Sequence, residues 1–134
     1  MIFKLAPVLG EAIPVVRHRF PKSARLSTAS EFDRVKSNGV SCHGRFMVLS
    51  VLKNSPSAET KVGLITSRRI GGAVERNRVR RRFREIVRMA RPGLQPALWL
   101  VLIARKGAVE ASFQSLQREW LQLAQRASIL TALS

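Results

Sequence analysis

The residues with the strongest chemical character in this 134-residue chain are arginines, and they are crowded. From Ser67 to Arg91 there are ten, at positions 68, 69, 76, 78, 80, 81, 82, 84, 88 and 91, against Glu75 and Glu85, a net charge of +8 in 25 residues. Guanidinium groups are planar forks of donors that bind phosphate oxygens two at a time, and neutralising several phosphates releases counterions. A cluster of this kind grips a polyanion; it does not break bonds. A solvated arginine face usually carries glutamates at i±4, and two acids among ten cations are too few for that.

The whole chain repeats the imbalance, with 24 Lys and Arg against 8 Asp and Glu and a formal net charge of +16. A compact domain with that surplus repels itself unless a polyanion neutralises it, so the partner is a phosphate backbone or an anionic membrane surface. A membrane binder would set a basic face beside an exposed apolar one on a single helix. Catalysis by the chain itself finds little support. The only histidines are His18 and His43, and Cys42 and His43 are adjacent, so in a strand they point to opposite faces. Cys42 is the sole cysteine, which excludes an internal disulfide and a cysteine-based zinc cluster and fits a reducing cytosol. It reads as a small apolar strand residue. No catalytic set and no metal-ligand set is expected, with Asp33, Glu110 and Glu119 the carboxylates to revisit if the isolated protein cleaved RNA.

These residues need elements to position them. Residues 1–24 contain Pro7, Pro14 and Pro21 and then Arg17, His18, Arg19 and Lys22, which reads as a flexible basic extension ahead of a domain over 25–130. Gly10, Glu11 and Pro14 interrupt the apolar start, which argues against a signal peptide, and no other stretch approaches the roughly 18 apolar residues of a membrane span. Thr28-Ala29-Ser30-Glu31 has capping-box spacing, predicting a short helix through Val35 that ends at Asn38-Gly39. The apolar run Val40 to Leu52, the polar stretch with Pro56 and then Val62 to Thr66 predict a hairpin. After Gly71-Gly72, Val79, Phe83, Ile86 and Ala90 fall on one helical face, while Asn77, Arg81, Arg84 and Arg88 form a second stripe with the spacing of a phosphate row. Because the apolar side is needed for the core, the membrane reading is disfavoured. Pro92-Gly93 stops this helix, Leu98 to Ala104 reads as a strand central in its sheet, and Phe113 to about Ala127 as a closing helix. The order is helix, two or three strands, helix, strand, helix, and with three strands, α-β-β-β-α-β-α, it suggests an α+β fold with helices packed on a sheet.

The stretch Ser67-Arg68-Arg69-Ile70-Gly71-Gly72-Ala73-Val74-Glu75-Arg76-Asn77-Arg78-Val79-Arg80-Arg81-Arg82-Phe83-Arg84-Glu85 closely resembles the signature of the bacterial ribonuclease P protein family, whose RNR motif matches Arg76-Asn77-Arg78. The resemblance runs from about Arg25 to Ala127 and takes in the Glu31-Phe32 helix, Gly39, Arg45, Val62-Gly63 and Ile103-Ala104-Arg105-Lys106. It implies an α-β sandwich with a left-handed βαβ crossover, like that of a ribosomal-protein domain, against the usual right-handed rule. It further implies a noncatalytic subunit of a cytoplasmic ribonucleoprotein in which a large RNA, using magnesium, cleaves the 5′ leader from precursor tRNA. Magnesium would act through the RNA, with no membrane and no protein partner required.

By the same resemblance Arg68, Arg69, Arg76, Asn77, Arg78, Arg80, Arg81, Arg84 and Arg88 would dock on the ribonuclease P RNA. A cleft between the first helix and the sheet would take the precursor leader, since single strands are commonly gripped by aromatic stacking over a basic groove. Phe32 matches the leading aromatic of that cleft, but Lys36 and Ser50 stand where the family often has aromatics. Leader contact would then rest on Phe32 and Phe46, with charge from Lys36, Arg45, Arg105 and Lys106. The alternative is a general or ribosomal RNA-binding protein without a role in tRNA processing; the RNR motif with its Gly71-Gly72-Ala73-Val74 lead-in is what charge alone does not demand.

Overall fold

Strand β4 (Trp99–Ala104) organises the molecule, because it is the most apolar segment and needs both edges and both faces covered. The computed structural model, which describes residues 25–26, 28–56 and 59–130, gives it all four. Its neighbours are β2 (Met47–Leu52), antiparallel, and β3 (Lys61–Ile65), parallel; β1 (Val40–His43) pairs with β2, so the strand order is β1-β2-β4-β3. Helix α2 (Ala73–Ala90) links β3 to β4 as a crossover, α1 (Ala29–Asn38) precedes the sheet and α3 (Phe113–Arg126) closes the chain. The fold is α+β, in the predicted order α-β-β-β-α-β-α. Residues 1–24, predicted to form a flexible extension, lie outside the described residues, so the proposed boundary at 25 rests on sequence.

The predicted hairpin between the 40–52 run and the 62–66 strand does not form. That run is itself folded at Gly44-Arg45 into β1 and β2, which pair with each other from Val40↔Val51 to His43↔Val48. The other edge of β2 goes to β4, and β3 is left to pair in parallel on the far side of β4. A strand as apolar as β4 displaces the local pairing because it gains more by lying centrally than β3 gains beside β2.

Alternation distributes the strands' side chains over two cores. Met47, Leu49, Val51, Val62, Leu100 and Leu102 face α2 and α3, where Val79, Phe83, Ile86, Leu116, Trp120 and Leu123 cover them. The other face buries Trp99 and Val101 beneath Val35 of α1 and Leu26. Helix α1 forms where its capping box predicts: the Thr28 hydroxyl accepts from the Glu31 N–H at 3.2 Å and the Glu31 carboxylate accepts from the Thr28 N–H at 3.1 Å. Its far end closes at Gly39, whose N–H donates to the Val35 carbonyl. Lys61 fastens the helix to β3, lying 3.7 Å from the Glu31 carboxylate and over the Trp99 ring.

One buried carboxylate ties the last helix to the first hairpin. Glu119 of α3 is 9 % exposed and accepts three backbone N–H bonds, from Arg45 at 2.8 Å, Phe46 at 2.7 Å and Met47 at 3.0 Å. Gly44 makes room for it, since a β-carbon there would stand 2.5 Å from the carboxylate.

Candidate nucleic-acid interface

Helix α2 must hold together against its own charge. Like charges at i,i+4 cost a few tenths of a kcal/mol per pair. Against this, Val79, Phe83, Ile86 and Val87 are buried, each contributing about 1.5–3 kcal/mol. Burial wins, and it turns the remaining face outward. The helix starts at Gly72, whose N–H donates to Glu75 Oε1 at 3.1 Å, and ends before a 3₁₀ turn at Arg91–Gly93, where Pro92 and Gly93 were predicted to stop it.

The arginines of this segment divide by what they touch. Arg82 donates to the Ala111 carbonyl at 2.7 Å and Arg78 to the Val109 carbonyl at 3.4 Å, so one flank of the helix holds the loop before α3. Arg80 donates to Asn77 Oδ1 at 2.8 Å and to the Thr66 hydroxyl at 2.6 Å. Arg88 donates through Nε to Glu85 Oε1 at 3.0 Å and through its terminal nitrogen to Oε2. Arg81 and Arg84 are exposed with no protein partner among the described residues, as are Arg68 and Arg69 on the 3₁₀ turn (Arg68–Ile70) that leads into the helix. Arg76 is half-buried at the helix start and Asn77 is exposed. The predicted Asn77/Arg81/Arg84/Arg88 stripe is present, with Asn77 already engaged by Arg80 and Arg88 by Glu85.

Among the described residues, the Glu85–Arg88 pair is where an acid competes for the arginine stripe. The Arg88 hydrogen bond holds the Glu85 carboxyl below its ordinary value of 4.5, against partial desolvation, and Glu85 in turn raises Arg88. A carboxyl with a depressed folded pKa adds stability that is present above its unfolded pKa and is lost as pH falls through the folded value. With the two side chains 33 % and 45 % exposed, that stability is only about 0.5 kcal/mol after solvent screening. Glu85→Gln is therefore expected to leave thermal stability near neutral pH almost unchanged and to flatten its decline below pH ~4.5. It should also free Arg88 and tighten RNA binding at low salt roughly threefold. Melting curves across pH 3–7 and an RNA titration check both.

A second feature lies at the outer edge of β3. A groove of about 140 Å³ is lined by Arg25, Leu26, Phe32, Val62, Gly63, Leu64, Arg80 and Arg84. The Phe32 ring packs against Gly63, where a β-carbon would stand 2.4 Å from the ring, so glycine is what lets α1 settle this close to β3. Leu26 N–H donates to the Val62 carbonyl at 3.0 Å, which carries the chain into the domain alongside this edge. The groove joins one predicted leader residue, Phe32, to two predicted RNA-docking residues, Arg80 and Arg84.

The other predicted leader residues gather elsewhere. Arg45 and Phe46 lie at the β1–β2 turn, with the Arg45 guanidinium 5.4 Å from the Phe46 ring centre. Arg105 donates to the Gly44 carbonyl at 3.0 Å, which brings the end of β4 and Lys106 beside the same turn. Phe46 packs against the larger core, and Lys36 is exposed on the last turn of α1. Ser50 is buried, hydrogen-bonded to Ser41 across the strands at 2.8 Å. Sequence reasoning missed Thr66, which precedes the arginine-rich stretch by one residue, and gave Glu119 no structural role. Among the described residues, no three His, Cys, Asp or Glu side chains gather as a metal would require. No described helix is long and apolar enough to cross a membrane.

Fold and surface together define a class: a small α-β sandwich that buries one side of a basic helix and presents rows of guanidinium groups on the other. Comparison with known proteins narrows it. Residues 20–128 match the family model described as Ribonuclease P, and the chain belongs to the ribonuclease P protein family. It is 37 % identical over 109 residues to the ribonuclease P protein component of Symbiobacterium thermophilum, covering 81 % of this chain and 95 % of that one. It is 38 % identical over 112 residues to that of a Roseiflexus species, covering 83 % and 91 %. In three dimensions it resembles the RNase P protein of Staphylococcus aureus, with a TM-score of 0.75 at 24 % identity over 82 % of this chain and 100 % of that one. The Thermotoga maritima protein gives 0.68 at 24 %, over 76 % and 96 %.

Proposed function

We propose that this chain is the protein subunit of a ribonuclease P ribonucleoprotein, docking on the RNA subunit through α2 and assisting RNA-catalysed, magnesium-dependent removal of the 5′ leader from precursor tRNA. The observation that carries the docking is the state of α2: its apolar side is consumed by the core, while Arg81 and Arg84 face outward without protein partners among the described residues. Family membership supports the subunit role. Arg68 and Arg69 lengthen the basic surface at its start, and Arg76, Arg78, Arg80 and Arg88 flank it. Leader contact falls to Phe32 and Lys36 on α1, with Arg45, Phe46, Arg105 and Lys106 at the separate β1–β2 turn. Magnesium belongs to the RNA in this reading, as the family resemblance implies, and of the carboxylates Asp33, Glu110 and Glu119 the last is already engaged by three backbone N–H groups. The site of action is the cytoplasm.

The test mixes purified protein with a bacterial ribonuclease P RNA and precursor tRNA at low magnesium. Cleavage is expected to need the RNA and to be stimulated by the protein, and Phe32→Ala should reduce that stimulation several-fold for substrates with long leaders and little for those with leaders of one or two nucleotides. Cleavage by protein alone would remove the noncatalytic reading. No stimulation at any magnesium concentration would favour a general RNA-binding protein.

A further inference from the structure

We propose that Thr66, at the carboxyl end of β3, is a positioning residue for RNA binding: with Asn77 it presets the Arg80 guanidinium beside Arg84 so that a phosphate at the β3-edge groove meets an already oriented pair. The inference rests on the reading that α2 docks on RNA. An exposed arginine side chain is flexible, and ordering it on binding costs about 0.5–1.5 kcal/mol. Arg80 has already lost that freedom. Its two terminal nitrogens are held from two directions, by Asn77 Oδ1 at 2.8 Å on the same helix and by Thr66 Oγ1 at 2.6 Å on the sheet. A guanidinium has five N–H donors, and these bonds use two, leaving donors for an incoming phosphate oxygen. Arg80 and Arg84 lie one helical turn apart and line the same groove as Phe32. The Asn77 carbonyl oxygen is therefore engaged in orienting Arg80, which gives the central residue of the Arg-Asn-Arg motif an internal role. Thr66, outside that motif, completes the clamp by tying the helix's arginine to the sheet edge.

The experiment uses the full chain, a ribonuclease P RNA transcript and titrations over a range of salt concentrations. Thr66→Val keeps the shape and removes the acceptor; it is expected to weaken binding about three- to tenfold while the slope of log K against log salt stays unchanged, because no phosphate contact is deleted. Arg80→Ala should weaken binding further and lower that slope by about 0.7–0.9. The double variant should bind no worse than Arg80→Ala, and Thr66→Ser should restore most of the affinity. Asn77→Ala, on the exposed side of the helix, repeats the test if Thr66→Val lowers the melting temperature. Wild-type binding by both Thr66→Val and Asn77→Ala, or additive losses in the double variant, would overturn the proposal. Normal binding by Arg80→Ala, or an effect of Arg80→Ala alone, would sink only the positioning role; the docking surface falls only if replacing Arg81 and Arg84 together by alanine also leaves binding unchanged.

Discussion

Replacing Arg81 and Arg84 together by alanine is expected to weaken binding to ribonuclease P RNA about 100-fold at moderate salt and leave the fold intact. Both side chains are exposed and partnerless among the described residues, so their loss removes no hydrogen bond or ion pair seen there. Each hydrogen-bonded contact to a charged group contributes about 1.5 kcal/mol, close to a factor of ten, and the two sites lie on one phosphate-spaced stripe. The salt slope should fall by about 1.5–2, which separates lost phosphate contacts from a general loosening. Removing two charges from a +16 chain relieves repulsion, so the melting temperature should hold or rise slightly. An unchanged affinity and slope would place the RNA on another face. At low magnesium the same variant should lose most of its stimulation of leader cleavage, and raising the protein concentration should restore it.

The largest expected effect on stability belongs to Glu119. In Glu119→Ala the N–H groups of Arg45, Phe46 and Met47 lose their acceptor at once. A buried donor left unpaired costs about 1–3 kcal/mol. Arg45 is exposed and regains water, so the other two sum to about 2–6 kcal/mol, a large share of the roughly 5–15 kcal/mol that holds a domain folded. A fall in melting temperature of more than about 10 °C follows. Glu119→Gln should cost about half as much, because its single oxygen can still serve Phe46 and Met47 while its amide nitrogen confronts the Arg45 N–H. Equal stability of both variants and the parent in thermal melts would show that the turn holds without the carboxylate.

Local chemistry made much of this molecule legible. The Thr28/Glu31 cap, the stop at Pro92-Gly93 and the helical faces of α2 and α3 depend on residues within a few positions of one another, and each is found where it was predicted. Strand β4 was recognised as central because seven apolar residues in succession have no solvent face to offer. The hairpin failed for a related reason: pairing is a competition between edges, and the winner, β4, lies more than thirty residues beyond β3 in the chain. The charged surface was read from composition, but its internal division was not. Arg82 and Arg78 hold a loop, Arg80 is clamped and Arg88 is paired, and each of those fates is set by a partner whose position only the packed fold supplies. Phe46 shows the same limit. It was grouped with Phe32 by residue type, and that it also packs partly against the larger core beside Gly107 is a placement only the fold supplies.

The Glu119 tie spans 72 to 74 residues of sequence. A ribosome makes the chain at about 5–20 residues per second, so the β1–β2 turn waits on the order of several seconds before its acceptor even exists. Until α3 arrives, three backbone donors beside the Arg45/Arg105 cluster can bond only to water or to whatever else is near. The surface assigned to the leader is thus completed last, when the final helix docks, and a chain truncated before Glu119 would carry the arginine-rich helix without a finished turn. Vectorial synthesis in this protein delivers the arginines proposed to dock on RNA well before the β1–β2 turn is set.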